Sequence, residues 1–520
     1  MTPDPYAAEK KPGILFALFF TLFMVIFNFT MTNMAAIYIV GDLGGSNDTA
    51  SYTISIFAVG NALGVPFGRA LYERIGTMRL FVICMLLFAF FSLLCPFAAT
   101  WASFLSLRFI QGLVAGPLYI LTARMISVLG PADKKDLFTI CMLAIFILVP
   151  ALGASCGAWI AYDLHWRWIF YFDVPILLML VGYLKLRLNN FDRDLKKVPF
   201  DVVGYVFLFL GIFNISLALI TGQELDWFRS SLITWMFAIG VLSLIFFILW
   251  DLNHPNPILW LSLLKKPIFA FALINLVVLF SAYFGAIILL ALWLGLYVNY
   301  TPIWIGILIG TMAIAGLVPI FLATDRFGHR DARLSLLVGV VLLGISCFHS
   351  SIFNEEVNFG RIAFSRIIAG FGIAFFLPPI FRLCFRTFKE QMTPKVIGLF
   401  QVVRCLGSGL GASIYTTLWQ RRQVFYHDRL GSQLTIYSPE TQQYFADAAQ
   451  FHITGKKADA HLADLLQRQA TSLALDDCFW LMGWICAGLG ILILFTLFFN
   501  KKPFLPEHQE PQECPAFEET

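Results

Sequence analysis

A chain of 520 residues that is 59% hydrophobic and only 13% charged, with a mean hydropathy of +0.78, falls outside the soluble range, where charged residues make up about a quarter. Such a composition predicts an all-α integral membrane protein that crosses the bilayer many times. The net charge of +4 is small and the basic residues are spread over many short loops, which excludes a nucleic-acid-binding surface.

Hydropathy resolves about fourteen spans, near 13–40, 49–71, 79–99, 102–128, 137–161, 169–188, 202–221, 230–251, 267–298, 303–323, 333–352, 360–385, 395–420 and 473–499. The first is too long to be the core of a cleavable signal sequence and is expected to stay as a helix. Within it Thr21, Asn28 and Thr32 fall on one helical face, with Asn33 just off it. Amides in such a place either bind polar groups of a cargo or cross-link helices. After the second span an acid and two bases, Glu73, Arg74 and Arg79, sit at a turn between helices, where they can form a charge latch or simply anchor the loop.

The fourth span carries Arg108 and Gln111 inside an apolar run. An arginine near the middle of a lipid-facing helix costs at least about 2.5 kcal/mol, so Arg108 is expected to face other helices or a water-filled cavity. Gly112 and Gly116 follow at a spacing that lets a neighbouring backbone approach, and Pro117 is expected to bend the helix. The fifth span repeats this combination with Pro150, Gly153 and Gly157. Acids are scarce near the spans, mainly Asp173 and Asp201. Farther on, Arg366 and Arg404 again place guanidinium groups inside apolar runs, and three such cations with few matching carboxylates favour an anionic cargo.

An internal repeat runs through the chain: RFIQG at 108–112 recurs as RIIAG at 366–370, and ERIG at 73–76 recurs as DRFG at 325–328. The second copy of the latch therefore comprises Asp325, Arg326 and Arg330. Two related six-helix bundles account for the layout, 1–190 and 267–500, with two extra spans within 191–266. Parallel repeats of this kind build many secondary carriers, with the cargo site between the halves. Residues 421–472 read as an external loop with helical pieces, and the proline-containing 501–520 as a disordered cytoplasmic tail. Lysine and arginine collect in alternate loops, which predicts both termini on the cytoplasmic side. Ten cysteines without a CxxC pair are expected to be reduced packing residues rather than metal ligands.

With these motifs in place, the chain resembles the fourteen-helix drug/proton antiporter family of the major facilitator superfamily, in its EmrB/QacA-type multidrug-exporter branch. The resemblance runs from FNFTMTNMAAIYIVGDLG in the first span to VVRCLGSGLGASIYTTLW in the thirteenth. LRFIQGLVAGP in the fourth span carries most of its specificity, and HWRWIFYFDVP at 165–175 and the residues Phe200, Asp201 and Gly204 also match. It implies alternating access driven by the proton gradient, no nucleotide or other cofactor, and small-molecule cargo. It also implies an inner-membrane location with a periplasmic adaptor and outer-membrane channel as partners. The chain departs from the family pattern at Asn28, where relatives generally carry an aspartate, at Arg69 in place of a latch glycine, and at Ala154, Cys156 and Ala158 in the fifth-span signature. An amide at position 28 cannot titrate, so proton coupling requires another acid.

The leading expectation is proton-driven efflux of amphipathic compounds. Asn28 and the altered fifth span keep open uptake, or dedicated export of an anionic metabolite such as a carboxylate chelator, with altered coupling. From another class, a non-transporting membrane sensor or scaffold retains the same motifs. No GxxxxGK[ST] or HExxH motif is present, so the sequence offers no reason to expect an enzyme.

Overall fold

The structure is a computed structural model that describes residues 12–131, 135–188, 200–325, 331–385, 387–388, 392–435, 437–452 and 454–499. Fifteen α-helices follow one another: α1 (Pro12–Asp42), α2 (Tyr52–Ile75), α3 (Thr77–Leu94), α4 (Trp101–Leu129), α5 (Lys135–Trp159), α6 (Trp168–Arg187), α7 (Val202–Thr221), α8 (Ser231–Asn253), α9 (Pro267–Leu296), α10 (Pro302–Asp325), α11 (Ala332–Ser350), α12 (Phe359–Phe385), α13 (Thr393–Gly431), α14 (Pro439–Gln450) and α15 (Lys456–Phe499). No strand occurs among the described residues. Thirteen of the helices are long and apolar enough to cross a membrane, and α10 adds the apolar stretch Pro302–Leu317. The protein is a multi-pass membrane protein, and its hydrophobic segmentation is that read from the sequence. Only helices satisfy all their backbone groups within a single apolar segment, which is why each run folds this way.

Packing repeats with a shift of eight helices, nine for the last, because the short α14 intervenes. In the first bundle α2 packs on α4, α1 on α5, and α3 on both α4 and α6. In the second, α10 packs on α12, α9 on α13, and α11 on both α12 and α15. The halves meet along two equivalent seams, α2 with α13 and α5 with α10. The α7–α8 pair packs on itself and leans through α7 on α2 and α13, straddling one seam.

Small residues set the closeness of the main pairs. A Cβ on Gly60 or Gly64 would lie 2.3 or 2.0 Å from the carbonyl oxygens of Phe109 and Leu113, and one on Gly112 would lie 2.3 Å from that of Phe57. The glycines of α2 and α4 thus open room for each other's backbone. Gly153 and Gly157 do the same for α5 against α1, meeting Thr30 and Met31.

Alternation of the spans puts the turn at 76, the 254–266 connection and both ends of the helical body on one face, which is rich in lysine and arginine. The opposite face carries the 432–455 connection. Here the structure corrects an expectation. Residues 421–431 continue α13 and 456–472 open α15, so these helices run 39 and 44 residues and project beyond the apolar body. Only α14 and its flanking turns form a separate piece between them. The 501–520 tail lies outside the described residues.

Candidate functional site

Between the halves lies a narrow cavity. Helices α1, α2, α4 and α5 wall it on one side, α9 and α13 on the other. Its surface is largely aromatic, with Phe29, Phe57, Tyr119, Phe146, Phe280 and Phe284, and its polar groups include Asn61, Ser408 and Arg404. Arg404 is 8% exposed and stands 4.7 Å over the Phe146 ring and 5.5 Å over Tyr119. Its Nε donates to Gln401 Oε1 at 3.0 Å, and Asn61 Oδ1 accepts from the Cys405 thiol across the seam at 3.4 Å. Among the described residues of the wall there is no acid, so the guanidinium is held by aromatic faces and an amide. The cavity thus combines an apolar body with one cationic end.

Of Arg108, Arg366 and Arg404, only Arg404 lines this cavity. Arg108 is fully buried inside the first bundle, in a chain of polar groups drawn from four helices. Gln111 donates to Ser92 Oγ of α3 at 2.7 Å, and Arg108 donates to Gln111 and, at 3.0 Å, to Asn28 Oδ1 of α1. Asn28 in turn donates its amide to Asp173 Oδ2 of α6 at 2.7 Å. A single amide therefore stands between the guanidinium and the carboxylate. The Phe57 ring, 4.4 Å from the Arg108 carbon, separates this chain of groups from the cavity. Spacing along the sequence gave no sign of the Asn28–Asp173 contact, because the two residues are 145 positions apart. Thr21 and Thr32 of the expected polar face are occupied by the carbonyls of Ala17 and Asn28 of their own helix.

Arg366 occupies the corresponding position in the second bundle, in different company. Its Nη2 donates to Ser350 at 2.7 Å and Ser365 at 3.1 Å, with Ser346 at 3.4 Å. Ser346 and Ser350, four apart on α11, lie on one helical face, a pattern visible in the sequence. Asn33 lines a second cavity between the halves, nearer the long-loop face, with Tyr38, Ser51 and Tyr300. Its Oδ1 is buried without a hydrogen-bond partner among the described residues.

The seams are tied near the long-loop face. Ser155 of α5 donates to the Gly306 carbonyl of α10 at 2.6 Å. On the other seam, Ser55 of α2 donates to the Gly409 carbonyl of α13 at 2.9 Å and lies 2.7 Å from Ser413 Oγ. At the basic face Trp260, in the connection between α8 and α9, lies under Arg69 of α2 at 5.8 Å and Lys395 of α13 at 3.1 Å. Glu73 lines a shallow groove there with Arg69, Asp201 and Trp260, and Arg74 stands over Phe200 at 6.0 Å. Arg79 is exposed. Of the second latch, Arg326 and Arg330 lie outside the described residues, as does the side chain of Asp325. Among the hinge positions, Gly116 packs against Asn61 and Val65, and Pro117 receives Gly68 of α2. Pro150 reaches the wall of the central cavity. Both prolines lie within continuous helices.

The sequence model described as Major Facilitator Superfamily matches residues 18–412. The chain is 29% identical over 497 residues to a "Multidrug export protein EmrB" of Haemophilus influenzae, covering 95% of this chain and 96% of that one. It is 28% identical over 507 residues to a "Fatty acid resistance protein FarB" of Neisseria gonorrhoeae, covering 97% and 99%. Among solved structures, a POT family transporter crystallised with 5-aminolevulinic acid superposes with a TM-score of 0.61 at 13% identity, covering 94% of this chain and 96% of that one.

Proposed function

Because the chain belongs to the Major Facilitator Superfamily, we propose that it is a proton-driven exporter of amphipathic small molecules that works by alternating access. The observation that carries this reading is the narrow cavity between the halves, mainly apolar, rich in aromatic rings and cationic at Arg404. Apolar walls reward desolvation of a cargo's hydrophobic body at about 25 cal/mol per Å² buried, whatever its detailed shape. The guanidinium adds a preference for a carboxylate or another anionic head. The names of the relatives from Haemophilus influenzae and Neisseria gonorrhoeae agree with export of such compounds.

In this reading the halves rock about the seams. Breaking the Ser155–Gly306 and Ser55–Gly409 contacts opens the long-loop face, and releasing Trp260 from Arg69 and Lys395 opens the basic face. Glu73, Arg74 and Arg79 with Asp325, Arg326 and Arg330 form the latch of the basic face, which lies on the cytoplasmic side with both termini. The protein resides in the inner membrane. The projecting ends of α13 and α15, with α14, offer a docking surface for a periplasmic adaptor and, through it, an outer-membrane channel.

The test uses inverted membrane vesicles energised by an imposed pH gradient, with 8-anilinonaphthalene-1-sulfonate, a fluorescent amphipathic anion, as probe. Accumulation of the dye that collapses with a protonophore is expected. Dye movement indifferent to the gradient would remove antiport.

A further inference from the structure

Glu355 and Asp476, near the long-loop face, each hide one oxygen but stay partly exposed, and among the described residues three carboxylates are buried whole, those of Asp173, Asp201 and Asp251. Two of them have structural work that accounts for their placement. Asp201 caps α7 by accepting from Gly204 N at 2.8 Å and also accepts from Trp250 Nε1 at 3.0 Å. Asp251 accepts the backbone N–H groups of Leu259 and Leu261 at 3.1 and 2.8 Å and so shapes the connection that carries Trp260. Asp173 is different. It is 1% exposed and lies in the body of α6 rather than at a cap. One oxygen accepts from Asn28, and the other, Oδ1, has no hydrogen-bond partner among the described residues.

Unmatched groups also occur at the other end of the same chain of contacts, where Arg108 Nε and Nη2 are buried without acceptors among the described residues. A buried cation and a buried carboxylate attract strongly in a low-dielectric interior and ordinarily meet directly. Here Asn28 keeps them apart, donating to the carboxylate through Nδ2 and accepting from the guanidinium through Oδ1. The amide is oriented by the charge on each side of it.

We infer that Asp173 is the proton-carrying carboxylate of this transporter, and that the Asn28 amide relays its protonation state to Arg108 and to α1. This rests on the reading of proton-driven transport given above. A proton arriving from one aqueous side binds Oδ1, the oxygen without a partner, and leaves to the other side in the alternate state, with no other bond changed. Protonated at Oδ1, Asp173 still accepts from Asn28 through Oδ2, now a neutral carbonyl, so a charge-assisted hydrogen bond becomes an ordinary one. The Asn28 amide is then held less firmly, and Arg108, facing a neutral acid across it, is freed to shift against Phe57 at 4.4 Å. Phe57 stacks on Phe29 at 4.9 Å, and both rings line the cargo cavity. Asn28 and Phe29 are adjacent on α1, so the proton site and the cavity wall share one helix. Among the described residues Arg108 of α4 is the charged group acting on Asp173, and the Cys95 thiol lies beside Arg108. At this level α1 presents Asn28 and α3 presents Ser92, neither of which titrates, while Asp163 in the turn before α6 is exposed.

The primary experiment needs no cargo. Purified wild-type protein in lipid is titrated while the carbonyl stretch of protonated carboxylic acids is followed by difference infrared spectroscopy. A titrating band is expected in the wild type and should be absent from Asp173→Asn. It should return in the double variant Asn28→Asp with Asp173→Asn, which exchanges acid and amide across one contact. A companion assay in proteoliposomes loaded with 8-anilinonaphthalene-1-sulfonate compares gradient-driven accumulation with gradient-free exchange. Asp173→Asn should lose accumulation and keep exchange, and the double variant should regain accumulation. The inference is overturned if Asp173→Asn keeps the band or keeps driven accumulation, or if it loses exchange too and the double variant restores nothing. Wild-type protein that exchanges the dye but never responds to the gradient would instead overturn the proton-driven reading.

Discussion

Arg404 shows how a single residue sets what the central cavity accepts. Its guanidinium lies against three rings, with Phe280 at 5.8 Å in addition to Phe146 and Tyr119, and its Nε donates to Gln401 on its own helix. Removing it strips a charge from the wall without leaving a buried carboxylate behind, so Arg404→Ala is expected to fold and reach the membrane. Transport of an amphipathic anion should fall by roughly tenfold or more, the equivalent of about 1.5 to 3 kcal/mol for a charge-assisted hydrogen bond, while a neutral probe of similar size changes little. The ratio of the two rates in the same vesicles measures this, and an equal loss for both probes would assign Arg404 to packing. At this scale the sequence was partly legible. That Arg108, Arg366 and Arg404 must hide from lipid followed from the cost of a bare charge in hydrocarbon. That Arg404 reaches the cavity while Arg108 and Arg366 turn into their own bundles did not follow, because helical rotation is decided by neighbours far away in sequence. The same limit hid the pairing of Asn28 with Asp173, and the serine nest of Arg366, where neutral hydroxyls stand in for an acid.

Helix pairs obey a simpler rule, since the distance between two axes is fixed by the smallest residues between them. The glycines of α2 and α4 interlock over two turns, and Gly64 is the tightest, its Cβ position 2.0 Å from the Leu113 carbonyl oxygen. Gly64→Ala must push backbone, not a flexible side chain. A loss of about 1 to 3 kcal/mol is expected, as for other overpacked cores, read as a fall in the thermal midpoint of the purified protein. Gly182→Ala on α6, where nothing lies within 4 Å, is the control and should leave the midpoint unchanged. These close approaches were readable as a small-residue pattern in 108–116. Element ends were readable only where hydropathy changes together with helicity. At 421–472 the two part company, since polar residues continue α13 and begin α15 as helices, and a hydropathy reading takes them for loop.

For the whole molecule the decisive feature is that α2 and α13 are joined at both ends, by Ser55 with Gly409 and Ser413 near the long-loop face and by Trp260 between Arg69 and Lys395 at the basic face. The α5–α10 seam is also tied, through Ser155 and Gly306. A carrier that rocks must break these ties in turn, so a covalent bond in place of one of them should stop the cycle at a known point. The Ser55 and Ser413 Oγ atoms are 2.7 Å apart, close enough for sulfur atoms at those positions to approach bonding distance with small adjustments. The variant with Ser55→Cys and Ser413→Cys, made in a background where the native cysteines are replaced, is expected to cross-link under mild oxidation. Transport should vanish when it is oxidised and return on reduction, and an opposing gradient or saturating cargo should alter the rate of cross-linking, because both change how long the long-loop face stays closed. Full transport by the oxidised protein would mean that this seam never opens, and the halves would then have to exchange cargo by some motion other than rocking about α2 and α13.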